Sequence, residues 1–131
     1  MAGPSKQSLQ QIAGLAPRKI VVDWLFEVFH RQKPLDELFS NSEASPLWLE
    51  LSACDRGFAR SIIMTVLRHK GELDWIVAQF LKKKPQAKSR VYEILLSGAA
   101  QLLFMDVEPH AAIDMSVRLA KTSDKSRHLA K

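Results

Sequence analysis

A single cysteine, Cys54, is all the thiol chemistry this 131-residue chain carries. No disulfide can close within it, and the usage fits a reducing cytoplasm. Glycine is scarce as well. The five glycines are scattered, so no phosphate-cradling loop is present. No Cys or His spacing suits zinc. No stretch alternates apolar and polar residues with period two, which excludes half-buried strands. The longest apolar run, Val91 to Met105, contains Glu93 and Gln101 and is too short to cross a bilayer. The N-terminus has no apolar signal core, and no repeat recurs at a fixed period. A nucleotide-binding loop, a zinc module, a disulfide scaffold and a membrane span are thereby set aside.

What remains is globular. Apolar residues make up 47% and charged residues 25% of the chain, enough to close one domain around a real core. The net charge is +5, which favours anionic partners such as RNA, DNA or an acidic membrane. Residues 1–16, with Gly3, Pro4, Gly14 and several Ser and Gln, read as a flexible leader. Residues 17–131 read as the folded domain.

The domain is expected to be all-α, a bundle of about six to seven helices. From Pro17, Val21, Leu25 and Val28 form a stripe, with Glu27 and Arg31 spaced for an i,i+4 pair. Pro34 stops that helix and opens a short one through Phe39. Ser45 and Pro46 suit the cap and first position of a brief helical turn. A long helix is expected from Asp55, its faces set by Phe58, Ile62, Val66 and by Ala59, Ile63, Leu67, and ended by Gly71. Leu73, Ile76, Val77, Phe80 and Leu81 mark the next, closed by Lys82 to Lys84 and Pro85. Ser89 caps a helix from Arg90 to about Met105. That helix is apolar nearly all round and is therefore central. Gly98, Ala99 and Ala100 in its middle imply close approach of another helix, because an interior glycine costs about 1 kcal/mol relative to alanine. Pro109 begins a further helix, with Ile113, Val117 and Ala120 as its apolar stripe. Lys125 to Lys131 read as the first turn of another.

No catalytic constellation stands out. His110 and Asp114, at i,i+4, could share a metal or a proton, or simply a local hydrogen bond. Cys54 is expected to be a buried, inert thiol. Trp24, Trp48 and Trp75 are expected in the core or at a subdomain interface. The cations are the functional feature, and they cluster. Arg18 and Lys19 sit at a helix start, where they oppose the dipole. Arg68 and Lys70 flank His69. Lys82 to Lys84 with Lys88 and Arg90 read equally as solvated surface or as RNA-backbone contacts. Arg118, Lys121, Lys125 and Arg127 close the chain. No aromatic platform interleaves with them in sequence, which favours phosphate and shape recognition over base readout. The candidate RNA contacts are Arg18, Lys19, Arg68, Lys70, Arg118 and Lys121. No catalytic and no metal residue is assigned.

Asp55-Arg56-Gly57-Phe58-Ala59-Arg60, Val66-Leu67-Arg68, Leu73-Asp74, Gly98 with Gln101-Leu102-Leu103-Phe104, Pro109-His110-Ala111-Ala112 and Leu119-Ala120-Lys121 occur in an order and spacing that resembles the NusB-type RNA-binding domain. The resemblance is nearest to the version at the N-terminus of Sun/Fmu-type ribosomal RNA cytosine-C5 methyltransferases. It departs in places. Leu96 and Ala100 stand where the family has arginine and tyrosine, Asp114-Met115 where it has Asn-Glu, and Arg118 where it has a glutamate. The family's last helix and the catalytic half have no counterpart, so the domain is expected to be C-terminally incomplete. The resemblance implies a non-catalytic module that positions a methyltransferase on structured ribosomal RNA. S-adenosylmethionine belongs to the absent catalytic domain, which is the expected partner in cis. Self-association through an uncovered C-terminal face is a further expectation, and a cytoplasmic location is implied. Two alternatives stay open: a free-standing transcription antitermination factor that binds RNA and a protein, and a structural domain without RNA contact.

Overall fold

The computed structural model describes residues 12–83, 85 and 89–129, with side chains to residue 122. Among these residues are seven α-helices, one 3-10 turn and no strand. α1 is Leu15–His30, α2 Leu35–Ser40 and α3 Pro46–Glu50, with the 3-10 turn Ser42–Ala44 between α2 and α3. α4 is Ala53–Arg68, α5 Lys70–Phe80, α6 Val91–Phe104 and α7 Pro109–Leu129.

Helix ends follow local chemistry, with corrections to the sequence reading. α1 starts two residues before Pro17, because Gly14 takes the left-handed conformation (φ 88°) that enters the helix. A Cβ at Gly14 would also lie 2.6 Å from Arg18 Nη1. Leu15 and Ala16 are buried and belong to the domain rather than to a leader. Residues 1–11 lie outside the described residues. Pro34 precedes α2, and Ser45 Oγ accepts the Trp48 N–H at 3.3 Å to cap α3, both as expected. α4 is capped by Ser52, whose Oγ accepts the Asp55 N–H at 3.1 Å. Asp55 therefore sits in the first turn rather than at the cap. Gly71 does not end α4. The helix breaks at His69, and Gly71 lies within the first turn of α5. Residues 125–129 continue α7 rather than opening a separate helix.

α6 is the central helix, packing against α1, α4, α5 and α7. Leu25, Ile62, Ile63, Val66, Leu73 and Leu96 are fully enclosed around it, each contributing about 1.5–3 kcal/mol by leaving water. Trp24 and Trp48 stack with ring centroids 4.9 Å apart, and Phe39 meets Trp24 edge-on at 5.2 Å. Trp75 departs from expectation and is 67% exposed.

The small residues of α6 serve the expected close approach. A Cβ at Gly98 would lie 2.9 Å from Ser116 Oγ on α7. Farther along the same pair of helices, Ile94 packs with Leu119, which fixes α6 and α7 as antiparallel. Gly98→Ala is expected to raise stability by about 1 kcal/mol in a Ser116→Ala background, through helix propensity alone. In the parent background the gain shrinks, because the Ser116 hydroxyl must give way. Urea midpoints of the four proteins check both statements.

The stripe Ile113 and Val117 does not face the core. Ala112 and Leu119 are the buried positions of α7, while Ile113 is 53% and Val117 45% exposed. The side of α7 that meets α6 is set by the narrow Gly98–Ser116 contact. That contact turns the larger Ile113 and Val117 outward.

Candidate nucleic-acid interface

One face of α1 carries Lys19, Asp23, Phe26 and His30, at i, i+4, i+7 and i+11, so all four side chains align. Lys19 Nζ donates to Asp23 Oδ1 at 2.6 Å, and Arg90 Nη1 reaches the same oxygen at 3.2 Å from the start of α6. Two cations share one carboxylate, which leaves the cluster positive. Arg90 sits in the left-handed region (φ 55°) immediately before α6. Its guanidinium lies over the Phe26 ring, 4.2 Å from the centroid. His30 stacks on the other part of this group, 4.5 Å from Phe26 centroid to centroid.

His30 Nε2 lies 2.9 Å from Glu93 Oε2, and Glu93 is 1% exposed. Beside Glu93, the Tyr92 hydroxyl donates to Asp74, which also accepts from Lys70 Nζ at 2.7 Å. Lys70 in turn lies 4.6 Å over the Phe29 ring. Lys19, Arg90, His30, Tyr92 and Lys70 thus form one connected strip across α1, α6 and α5. Arg68 is exposed two residues before Lys70. Cations and aromatic rings, separate in sequence, are interleaved in space.

Arg18 faces the opposite way. It is 6% exposed. Its Nε donates to Gln101 Oε1 at 2.7 Å and its Nη1 to the Gly14 carbonyl at 2.9 Å. The guanidinium covers Phe58 at 4.9 Å, and burial lowers its pKa by penalising the charged form. Arg18 is a core residue in this structure, not a surface contact. Arg118 Nε pairs with Asp114 at 3.0 Å, so Asp114 is engaged along its own helix. Lys121 is exposed on α7. Lys84, Lys88 and the side chains of Lys125 and Arg127 lie outside the described residues. Cys54 is exposed in the first turn of α4 rather than buried.

Arg90, Phe26 and His30 are the members that sequence reasoning passed over as a group. The signal was present: Phe26 and His30 continue the helical spacing of Lys19 and Asp23. The fold then brings Arg90 onto that face from 67 residues away.

The Tyr92 hydroxyl gives the strip an alkaline signature. Its pKa is raised above the ordinary tyrosine value, first by burial and then by the hydrogen bond to Asp74 and the nearby carboxylates. Because the folded state holds this proton more tightly than the unfolded chain, the stabilisation is intact below about pH 10 and is lost as pH rises beyond it. Unfolding midpoints are expected to fall more steeply above that pH in the parent than in Tyr92→Phe.

Among the described residues, no group of three or more His, Cys, Asp or Glu could hold a metal ion. No described helix is long and apolar enough to cross a membrane. An all-helical body with its cations gathered beside aromatic rings has the form of a binding module. The NusB family model matches residues 15–131, and the chain belongs to that family. It is also similar to proteins named ribosomal RNA small subunit methyltransferase B. Those of Escherichia coli strain SE11, Shigella boydii serotype 18 and Escherichia fergusonii are each 30% identical over 73 residues. The match covers 55% of this chain and 17% of each of those relatives. No solved structure matches the chain.

Proposed function

We propose that this domain docks a ribosomal RNA cytosine-C5 methyltransferase on structured RNA, performing no methyl transfer itself. The observation that carries the reading is the connected cation–aromatic strip on a NusB-family body. Lys19, Arg68, Lys70 and Arg90 would meet phosphates, with Arg118 and Lys121 extending the contact along α7. Arg18 leaves the set, because a guanidinium enclosed by Gln101, Gly14 and Phe58 would have to break those contacts to reach a phosphate. The ion pairs to Asp23, Asp74 and Asp114 are surface pairs worth about 0–1 kcal/mol each, and a phosphate can replace the carboxylate at small cost. The catalytic domain, with its S-adenosylmethionine, would act in cis and in the cytoplasm.

The test is a titration of the 131-residue chain with hairpin-containing ribosomal RNA fragments at several salt concentrations. The log-affinity is expected to fall with log-salt by about 0.7–0.9 per phosphate neutralised. Affinity that ignores salt, or no binding at all, would favour a structural domain whose ion pairs serve only the fold.

A further inference from the structure

The rotation of α5 is fixed on three sides. Leu73 and Val77 are buried against the body. Asp74 is tied to the cation–aromatic strip by Tyr92 and Lys70. Ile76 and Phe80 line an apolar groove with residues of α6 and α7. Each residue turns the helix by about 100°. Gly71, Trp75 and Ala78, at i, i+4 and i+7, therefore share the outward face, and all three are exposed. Trp75 is 67% exposed, whereas Trp24 and Trp48 are 7% and 5%.

Nothing in the fold accounts for an indole there. An exposed tryptophan adds little burial, and its helix propensity is below that of alanine, lysine or glutamate. Its helical neighbours leave the ring bare. Gly71 has no side chain, and a Cβ there would meet nothing within 4 Å. Ala78 adds only a methyl group. The nearby carboxylates are engaged, Glu72 with His69 at 2.9 Å and Asp74 with Lys70 at 2.7 Å. The remaining charge is positive. Arg68 and Lys70 precede Trp75, and Lys82 and Lys83 are exposed just past the C-terminal end of α5. Those last two lysines are not members of the strip.

We propose that Trp75 is a stacking platform for an unpaired nucleotide of the RNA, with Lys82 and Lys83 holding the phosphates beside it. The inference rests on the RNA reading above and adds a base contact to it. A base inside a duplex has both faces covered by its neighbours, so only a loop or bulge nucleotide can lie on the ring. The strip, on the adjoining side of α5, would hold the paired stem while Trp75 takes the loop. Stacking accepts any base, in keeping with cations placed for phosphates rather than for base edges. A polypeptide partner is disfavoured, because its anchors need contiguous apolar surface. Around Trp75 the outward face of α5 offers Gly71, Glu72, Ala78 and Gln79 instead.

The probes are a ribosomal RNA hairpin and the same stem as a blunt duplex without unpaired nucleotides, each titrated into the 131-residue chain. Trp24 and Trp48 are enclosed, so an RNA-dependent fall in tryptophan emission reports Trp75. The hairpin is expected to quench that emission and the duplex to leave it unchanged. Trp75→Ala should weaken hairpin binding about tenfold and leave duplex binding as it was. Trp75→Phe keeps a ring and should retain most of the affinity while losing the emission change. Neither variant should alter the salt slope, since indole carries no charge. Lys82→Gln with Lys83→Gln should lower the hairpin slope by about 1.4. Urea midpoints should stay at the parent value, because all three positions are exposed. Salt-dependent hairpin binding that ignores Trp75→Ala overturns this proposal and leaves the RNA reading standing. An equal loss for hairpin and duplex also overturns it, because no unpaired base is then involved. Failure of the chain to bind either RNA overturns both.

Discussion

Gln101→Leu is expected to destabilise the domain by about 2–4 kcal/mol, although leucine matches the surroundings of α6 better than glutamine does. The reason lies in what Gln101 faces. Its Oε1 receives the Arg18 Nε–H at 2.7 Å, and its Nε2 donates to the Ser97 carbonyl and hydroxyl at 3.1 Å each. Leucine would leave a guanidinium in a nearly closed site with the Gly14 carbonyl and the Phe58 ring as its remaining contacts from this set. Removing one partner of a buried charged group costs more than removing both. The double variant Arg18→Met, Gln101→Leu should therefore cost less than the sum of the single changes, with a coupling of at least about 1 kcal/mol. Denaturant unfolding of the four proteins measures it. A Gln101→Leu loss under about 0.5 kcal/mol would mean that Arg18 turns out to solvent when released. That would return Arg18 to the candidate RNA contacts.

This pair also shows where sequence stopped being legible. Helix dipole arguments flagged Arg18 correctly as a cation at an unfavourable helix end. They could not show that Gln101, 83 residues away, waits in the core to receive it. Periodicity found the helices because each apolar face must be buried, and Gly98 correctly announced a close helix crossing. Periodicity failed on α7 because a stripe specifies apolar character, not its partner. Ile113 and Val117 line an open groove, while Ala112 and Leu119 meet the body. Phe80, one of the apolar positions whose spacing marks α5, likewise stands almost fully exposed. Both departures fall on the same groove, where local pattern and enclosed core disagree.

Neutralising the strip should have the largest effect on RNA. The combined variant Lys19→Gln, Lys70→Gln, Arg90→Gln is expected to reduce the salt slope by about 2–3 and the affinity at low salt by roughly 100-fold. Its stability should change little, since the lost ion pairs are part-exposed and worth about 0–1 kcal/mol each. The three positions also place cations beside Phe26 and Phe29, where an RNA base or ribose could lie against a ring once the strip holds the backbone. Arg56→Gln with Arg60→Gln provides the comparison. Those arginines cover Trp48 and Phe39 at 5.4 and 4.5 Å, so they match the cation–aromatic character of the strip without its position. Arg18→Met should leave the slope unchanged. If the Arg56 and Arg60 changes flatten the slope as much as the strip variant, attraction is spread over the whole basic surface. The alignment of Lys19, Asp23, Phe26 and His30 along α1 would then have only a structural meaning.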